Sequence, residues 1–410
     1  MTAPIENRIP RLAIVAGFSS QPLAEEIAAE FGSKVVSVTR KQFNDKEIQT
    51  TIEENVRGLE VVVIASASGD PNKQEKEARL LMRAANRAGA KRVTLVLPYL
   101  WNGRSDDIWD ERNSPALIDT IETLRDHCQS VVIADPHNAG LTREKFLDRG
   151  SPVKNCTIVH FAFPFAIQLK DLIDSGIISK EGLLFSHADA GSTKRISRSF
   201  RACLYNILGF PDRNADQDDW AQGLKDRDKK TGKIKIKGFS AEVAGRDVVI
   251  FEDLIAAGGT ACDLAALLKA MGARSIILFA TTGLFSTDIK KGESLNASVE
   301  RINQSQLDGV FITDTYNHSL TDPEIYAAIG SSPIIHVIRT APYLASIIRA
   351  LLIEVGESMD TDRNSVSAIL KGVHPDQLLD NQKIAFPVSC KAGSPLLALK
   401  ASHAQLASPL

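Results

Sequence analysis

The sequence predicts an α/β protein with two similar domains, each a mainly parallel sheet flanked by helices. Three observations predict it. Short apolar runs alternate with amphipathic stretches, the mark of strand–helix–strand units. The rhythm runs to Val153 and then restarts. In the second half, an apolar run ends in two acids and a glycine-rich turn that opens a helix: Asp247-Val-Val-Ile-Phe-Glu-Asp-Leu-Ile-Ala-Ala-Gly-Gly-Thr260.

In chain order, Arg11–Ala16 reads as a strand, followed by a helix near Pro22–Phe31 and a strand at Val35–Val38. Phe43–Ile52 alternates polar and apolar residues, as a half-buried strand segment does. Val61–Ala65 is a buried strand and Asn72–Ala88 a helix with Leu80, Leu81, Ala84 and Ala88 on one face. Val93–Val96 leads into the loop Pro98–Asp107; a helix near Pro115–Cys128 and a strand at Val131–Ala134 follow, ending in Asp135-Pro-His137. The second round has a strand near Thr157–His160, a helix near Phe165–Leu172, a strand near Leu183–Ser186 and a loop Asp189–Arg195. Strands at Val248–Phe251 and Ser275–Thr281 flank the helix that carries Leu264, Leu267, Leu268 and Met271.

These elements place an N-terminal domain at 1–155, a second at 156–340, a helix at 341–371 packing back on the core and a tail at 372–410. Residues 211–238 are dense in Asp, Lys and Arg and are expected to be a mobile surface loop, either a lid or a solvated insertion. The tail is rich in Pro, Ser, Ala and Lys and shows no chemistry.

A net charge of −2 over 410 residues argues against a general nucleic-acid or membrane-surface binder. No run reaches the length of a membrane span, and the N-terminus lacks a signal-peptide plan, so a cytoplasmic protein is expected. The five cysteines are widely spaced and fit neither a disulfide framework nor a zinc site.

The chemistry starts at the glycine-rich turn. Glycines let the backbone approach a ligand, and the free N–H groups of a helix start favour an anion. Glu252 and Asp253 sit at the carboxyl end of a strand, where open α/β sheets bind ligands. Acids beside a phosphate cradle suit sugar hydroxyls or Mg²⁺.

With its strand, both acids and the helix, this turn resembles the phosphoribosyl-pyrophosphate loop of the phosphoribosyltransferase fold. The spaced motifs of residues 11–371 resemble one branch of it, ribose-phosphate pyrophosphokinase. The resemblance implies two phosphoribosyltransferase-like domains and transfer of the β,γ-diphosphate of Mg-ATP to the 1-hydroxyl of ribose 5-phosphate. It implies Mg²⁺ as cofactor and a homo-oligomer built from dimers, up to a hexamer, with active sites near subunit interfaces.

Residue by residue, Phe43-Asn-Asp-Lys-Glu47 resembles the adenine-binding hairpin, with Phe43 stacking on the base and Asp45 and Glu47 holding the nucleotide. Alone, the segment also reads as an edge hairpin with a buried Phe43. Arg104, Ser105 and Asp106 match the ATP-phosphate loop; Arg104 alternatively pairs with Asp106 or Asp107 at the surface. His137 would help hold the Mg²⁺ of ATP, and Asp189 matches a Mg²⁺-linked acid. Lys225 and Arg227 match the catalytic basic pair, with Lys229, Lys230 or Lys233 able to share the role. Glu252 and Asp253 would hold the ribose hydroxyls, while Ala256, Ala257, Gly258, Gly259 and Thr260 would cradle the 5-phosphate.

Ala256 and Ala257 stand where the family usually has Asp and Thr, Ser105 replaces a Gln, and Asp107 replaces a basic residue. These departures leave three further readings open: the same chemistry on a modified acceptor such as ADP-ribose, a phosphoribosyltransferase, and a non-catalytic regulatory subunit of a synthetase.

Overall fold

The computed structural model describes residues 11–66, 68–107, 112–188, 196–216, 220–227, 234–288, 292–354 and 396. They divide into two compact units. The first holds the chain through Val159, with 315–321 and the residues from 340 to 354; the second holds 160–314, 322–339 and Leu396.

The first unit runs β1 (Leu12–Ala16), α1 (Gln21–Glu30), β2 (Val38–Gln42), β3 (Ile48–Ile52), β4 (Glu60–Ile64), α2 (Pro71–Arg87), β5 (Arg92–Leu97), α3 (Ala116–Arg125), β6 (Ser130–Ala134), α4 (Ala139–Phe146) and β7 (Asn155–Val159). Five strands form one parallel sheet in the order β1-β4-β5-β6-β7. Every residue of β4 is buried, which is why Val61–Ile64 reads as an unbroken apolar run rather than an alternating one; buried Glu60 at its start pairs with Lys91 and Arg92. Asp70 starts α2 by accepting the N–H groups of Asn72 and Lys73 at 3.0 and 3.4 Å, with Pro71 in the first turn, where no donor is missed.

The strand near 157–160 joins the first sheet as β7, so this unit runs to Val159 where the sequence placed a boundary at 155. Val35–Val38 is likewise not a full strand. Val35 makes one bridge to Ile14, and the strand proper, β2, starts at Val38 and pairs antiparallel with β3. This hairpin is a separate two-stranded sheet. Arg40 fastens its base, donating to Glu77 and to the carbonyl of Ala16, both at 2.5 Å.

The second unit runs α5 (Ala162–Asp174), β8 (Leu184–His187), α6 (Arg198–Leu208), β9 (Ala221–Arg227), β10 (Ile234–Phe239), β11 (Asp247–Ile255), α7 (Gly259–Ala270), β12 (Ser275–Gly283), α8 (Ala297–Asn303), β13 (Gly309–Thr313), α9 (Pro323–Ser331) and β14 (Ile335–Ile338). Its seven strands lie in the order β10-β9-β8-β11-β12-β13-β14. One register line across five of them is aromatic: His187, Phe251, Phe279, Phe311 and His336. The rings of Phe251–Phe279, Phe279–Phe311 and Phe311–His336 stack with centroids 5.4, 4.8 and 4.9 Å apart. Burying each Phe contributes about 1.5–3 kcal/mol, and a slip of one residue would turn the row to the opposite face. The row therefore fixes the register of β11 against its neighbours. At the other end of β11, buried Asp247 accepts from Ser179 N–H, Ser275 Oγ and Arg274, and the bond to Asp247 holds the Arg274 guanidinium above its ordinary pKa.

Residues 211–238 depart from expectation. Ala221–Arg227 and Ile234–Phe239 are strands, paired antiparallel with each other and joined to the sheet through β8. The reason lies in Ile234-Lys-Ile-Lys237, a period-two alternation hidden under a high charge density. Trp220, 6% exposed, roots the pair: its indole donates to Tyr205 Oη at 2.7 Å and its ring lies 5.2 Å from those of Phe185 and His187.

In the first unit, α10 (Ala341–Glu354) packs on α1, where Arg349 donates to the Glu30 carbonyl at 2.8 Å and covers the Phe31 ring at 5.0 Å. Of the expected tail, Leu396 is described; it is buried in the second unit against Gly309. No helix among the described residues is long and apolar enough to cross a membrane.

Candidate nucleotide and sugar-phosphate site

The glycine-rich turn follows β11 directly. That strand is longer than its apolar run: it continues through Glu252 and Asp253 to Ile255. Its partner β8 stops at the pair His187–Phe251, so the two half-buried acids extend past β8 while β12 still supports them on the other side. Gly258 then turns the chain with φ +79°, and a Cβ there would lie 3.0 Å from Ile302 Cδ1. Both conformation and space therefore require glycine. A Cβ on Gly259 would meet nothing within 4 Å, and Ala257, Gly259 and Thr260 are exposed.

Helix α7 starts here without a side-chain cap, and its first turn holds no acid. The N–H groups of Gly258, Gly259, Thr260 and Ala261 find no acceptor among the described residues. The carbonyls of the turn, by contrast, are all occupied. Ile255 accepts from Leu284 at 2.9 Å, Ala256 from Ser286 at 3.1 Å, and Ala257 from the Arg301 guanidinium. A turn whose donors meet no acceptor among the described residues, and whose carbonyls are bonded, suits an anion.

The second cluster lies in the first unit. Trp101–Arg104 is a turn in which Asn102 takes a positive φ of 56°. Asn102 donates to Thr120 Oγ1 at 2.8 Å, and Thr120 donates to Glu75 at 3.0 Å. Burial raises the pKa of Glu75, as does Asp119, while the Thr120 hydrogen bond and Arg79 lower it; the net shift is upward. Gly103 packs against His137, whose Cβ is 3.8 Å from the site of a Gly103 Cβ. Asn138 donates to Asp106 at 2.9 Å. The structure thus brings Arg104, Ser105, Asp106 and His137 into one place. Arg104 is exposed, and among the described residues no ion pair joins it to Asp106 or Asp107. Ser105 caps α3: its Oγ accepts from Ala116 N–H at 3.2 Å and its carbonyl from Leu117 N–H at 3.1 Å.

The hairpin tip carries Phe43, Asp45 and Glu47. Phe43 is 40% exposed, not buried, with Lys41 Nζ 4.5 Å above its ring. Asp45 Oδ1 accepts the Glu47 N–H at 3.1 Å and holds the tip closed. Lys225 and Arg227 lie on β9, and Asp189 lies outside the described residues. The relay through Asn102, Thr120 and Glu75, the Asn138 bond and the Arg301 brace were missed by sequence reasoning; no local pattern links them.

Each unit thus pairs a mainly parallel sheet with turns at its carboxyl strand ends, the class of the phosphoribosyltransferase-type α/β fold. A solved phosphoribosylpyrophosphate synthetase from Mycobacterium smegmatis matches this fold with a TM-score of 0.67 at 22% identity, over 84% of this chain and 99% of that one. The family profile for the N-terminal domain of ribose phosphate pyrophosphokinase matches residues 12–122. The ribose-phosphate pyrophosphokinase of Aquifex aeolicus is 26% identical over 82% of this chain and 95% of its own. That of Hyphomonas neptunium is 28% identical over 84% and 98%. Over most of its length the chain is therefore similar to ribose-phosphate pyrophosphokinases, at a divergent level of identity.

Proposed function

We propose that this protein transfers the β,γ-diphosphate of Mg-ATP to the 1-hydroxyl of ribose 5-phosphate, giving phosphoribosyl pyrophosphate and AMP. The observation that carries the reading is the turn at Ala256–Thr260: among the described residues the N–H groups of Gly258, Gly259 and Thr260 find no acceptor, the carbonyls of Ala256 and Ala257 are bonded, and two acids lie on the strand before it. It can bind the 5-phosphate through Gly258, Gly259 and Thr260, while Glu252 and Asp253 accept from the ribose hydroxyls. Acceptance by these carboxylates orients the sugar and leaves its 1-hydroxyl for the reaction.

On the nucleotide side, Phe43 stacks on adenine, and Asp45 and Glu47 hold its polar edge. Arg104 binds the phosphates with its planar donor fork, on a turn fixed by Ser105 and Asp106. The reaction is an in-line displacement: the 1-hydroxyl oxygen bonds to the β-phosphorus, the bond from that phosphorus to the α–β bridging oxygen breaks, and AMP departs with that oxygen. The hydroxyl proton is lost to solvent. Lys225 and Arg227 stabilise charge on the transferring oxygens.

His137 and Asp189 would hold Mg²⁺, directly or through water. His137 fits this use: it is half-buried at the end of β6 and packs beside the turn that carries Arg104. Few protein ligands suffice, because Mg²⁺ keeps waters and takes nucleotide oxygens. The bound ion neutralises charge on the polyphosphate. We also propose a homo-oligomer of dimers in which hairpin tips lie near subunit interfaces.

The test is AMP release by the purified chain with Mg-ATP and ribose 5-phosphate, compared with Lys225→Ala. A fall of about 100-fold or more in kcat, with little change in either KM, is expected for the loss of a charge contact made in the transition state. Equal rates in the two proteins would remove Lys225 from the mechanism.

A further inference from the structure

We infer that Arg301 on α8 sets the affinity of the site for the acceptor phosphate by orienting the donor peptides of the glycine-rich turn; this rests on the function proposed above. Arg301 Nη1 donates to the carbonyl of Ala257, and Nη2 to Glu293 Oε1 at 2.7 Å. Glu293 is itself fixed by accepting the Asp288 N–H at 2.8 Å through its other oxygen. The guanidinium is thus clamped between a carboxylate and the turn, one-third exposed.

The consequence follows from peptide geometry. In a planar trans peptide the carbonyl and the following N–H point in opposite directions. Holding the Ala257 carbonyl toward Arg301 therefore turns the Gly258 N–H the other way. The Ser286 bond to the Ala256 carbonyl does the same for the Ala257 N–H. Neither Ala256 nor Ala257 has a side chain that could fix these planes from within the turn. Gly258, with φ +79°, is the residue at which a peptide could flip most easily once the outer bond is lost. Ile302, the next residue of α8, fills the space behind Gly258, so the same helix both shapes the turn and orients it. Arg301 is in this sense a positioning residue: it acts on the phosphate through the peptide between Ala257 and Gly258.

The test compares Arg301→Met and Arg301→Lys with the unaltered full-length protein, measuring KM for ribose 5-phosphate, KM for Mg-ATP, and kcat. Arg301→Met is expected to raise KM for ribose 5-phosphate about tenfold, the scale of one charge-assisted hydrogen bond. KM for Mg-ATP and kcat should stay within about twofold, since the lost binding is uniform. Arg301→Lys, which keeps a cationic donor, should recover most of the affinity. An unchanged KM for ribose 5-phosphate, or a rise in both KM values together, overturns the inference. If the unaltered protein releases no AMP, calorimetric titration with ribose 5-phosphate decides the matter separately: weaker binding to Arg301→Met supports the positioning role, while equal binding, or none to either protein, rejects it.

Discussion

The turn at Ala256–Gly258 is held from outside through its backbone carbonyls, one of them by the Arg301 guanidinium, whereas the turn at Trp101–Asp106 is held through its own side chains. In the first, three successive carbonyls are bonded from outside and the donors are left for a ligand. In the second, Asn102 hangs from Thr120, Thr120 from Glu75, and Asp106 from Asn138. The difference explains where each can vary. A backbone-held turn tolerates alanine at 256 and 257 because neither its donors nor its bonded carbonyls belong to side chains. A side-chain-held turn depends on the identity of each link.

The sharpest way to break this contrast is at Gly258. Gly258→Ala meets Ile302 at 3.0 Å with φ at +79°. Backbone strain of roughly 1–2 kcal/mol and overpacking of about 1–3 kcal/mol together predict a fall of about 100-fold in kcat/KM for ribose 5-phosphate. Gly259→Ala, where the added Cβ has open space, should fold with an unchanged melting temperature. Equal damage at both positions would show that glycine composition, and not the shape of the turn, matters.

Next comes Asn102→Ala. The residue has φ +56° and loses its bond to Thr120. Denaturant melts should show a loss of about 1–2 kcal/mol, with KM for Mg-ATP rising and KM for ribose 5-phosphate unmoved. Ser105→Ala removes only the α3 cap and should cost about 1 kcal/mol of stability with a smaller effect on ATP.

The smallest effect is pH-dependent. Because the pKa of Glu75 is raised on folding, chiefly by burial, the unfolded chain ionises first as pH rises. Folding stability from this group is therefore lost as pH climbs from the ordinary carboxylate value toward the folded one. Glu75→Gln lacks that loss, so the stability of the variant relative to the parent should grow across that window and then level off. A difference that stays flat with pH would place Glu75 in a more solvated setting.

How much of this was legible beforehand follows the same division. The glycine-rich turn was readable because its parts are contiguous: an apolar run, two acids and glycines opening a helix. The hairpin tip and the Arg104 loop were readable as local patterns. The supports were not, because they are distant in sequence. Asn102 and Thr120 are 18 positions apart, Thr120 and Glu75 are 45, and Arg301 and Ala257 are 44. Ser105 was read only for the nucleotide, yet it caps a helix that starts 11 residues on. The β9–β10 pair was misread because Lys235 and Lys237, alternating with Ile234 and Ile236, made an alternating strand look like a solvated loop. The short strands β13 and β14 went unread; few residues carry their pattern, and their burial comes from the sheet around them.

The measurement that tests the account most directly is phosphorus NMR of the products formed by the purified chain from Mg-ATP and ribose 5-phosphate. The account predicts AMP together with a diphosphate on carbon 1 of ribose 5-phosphate, in equal amounts. ADP with a single phosphate on the sugar, or ATP left unchanged beside intact ribose 5-phosphate, would contradict it.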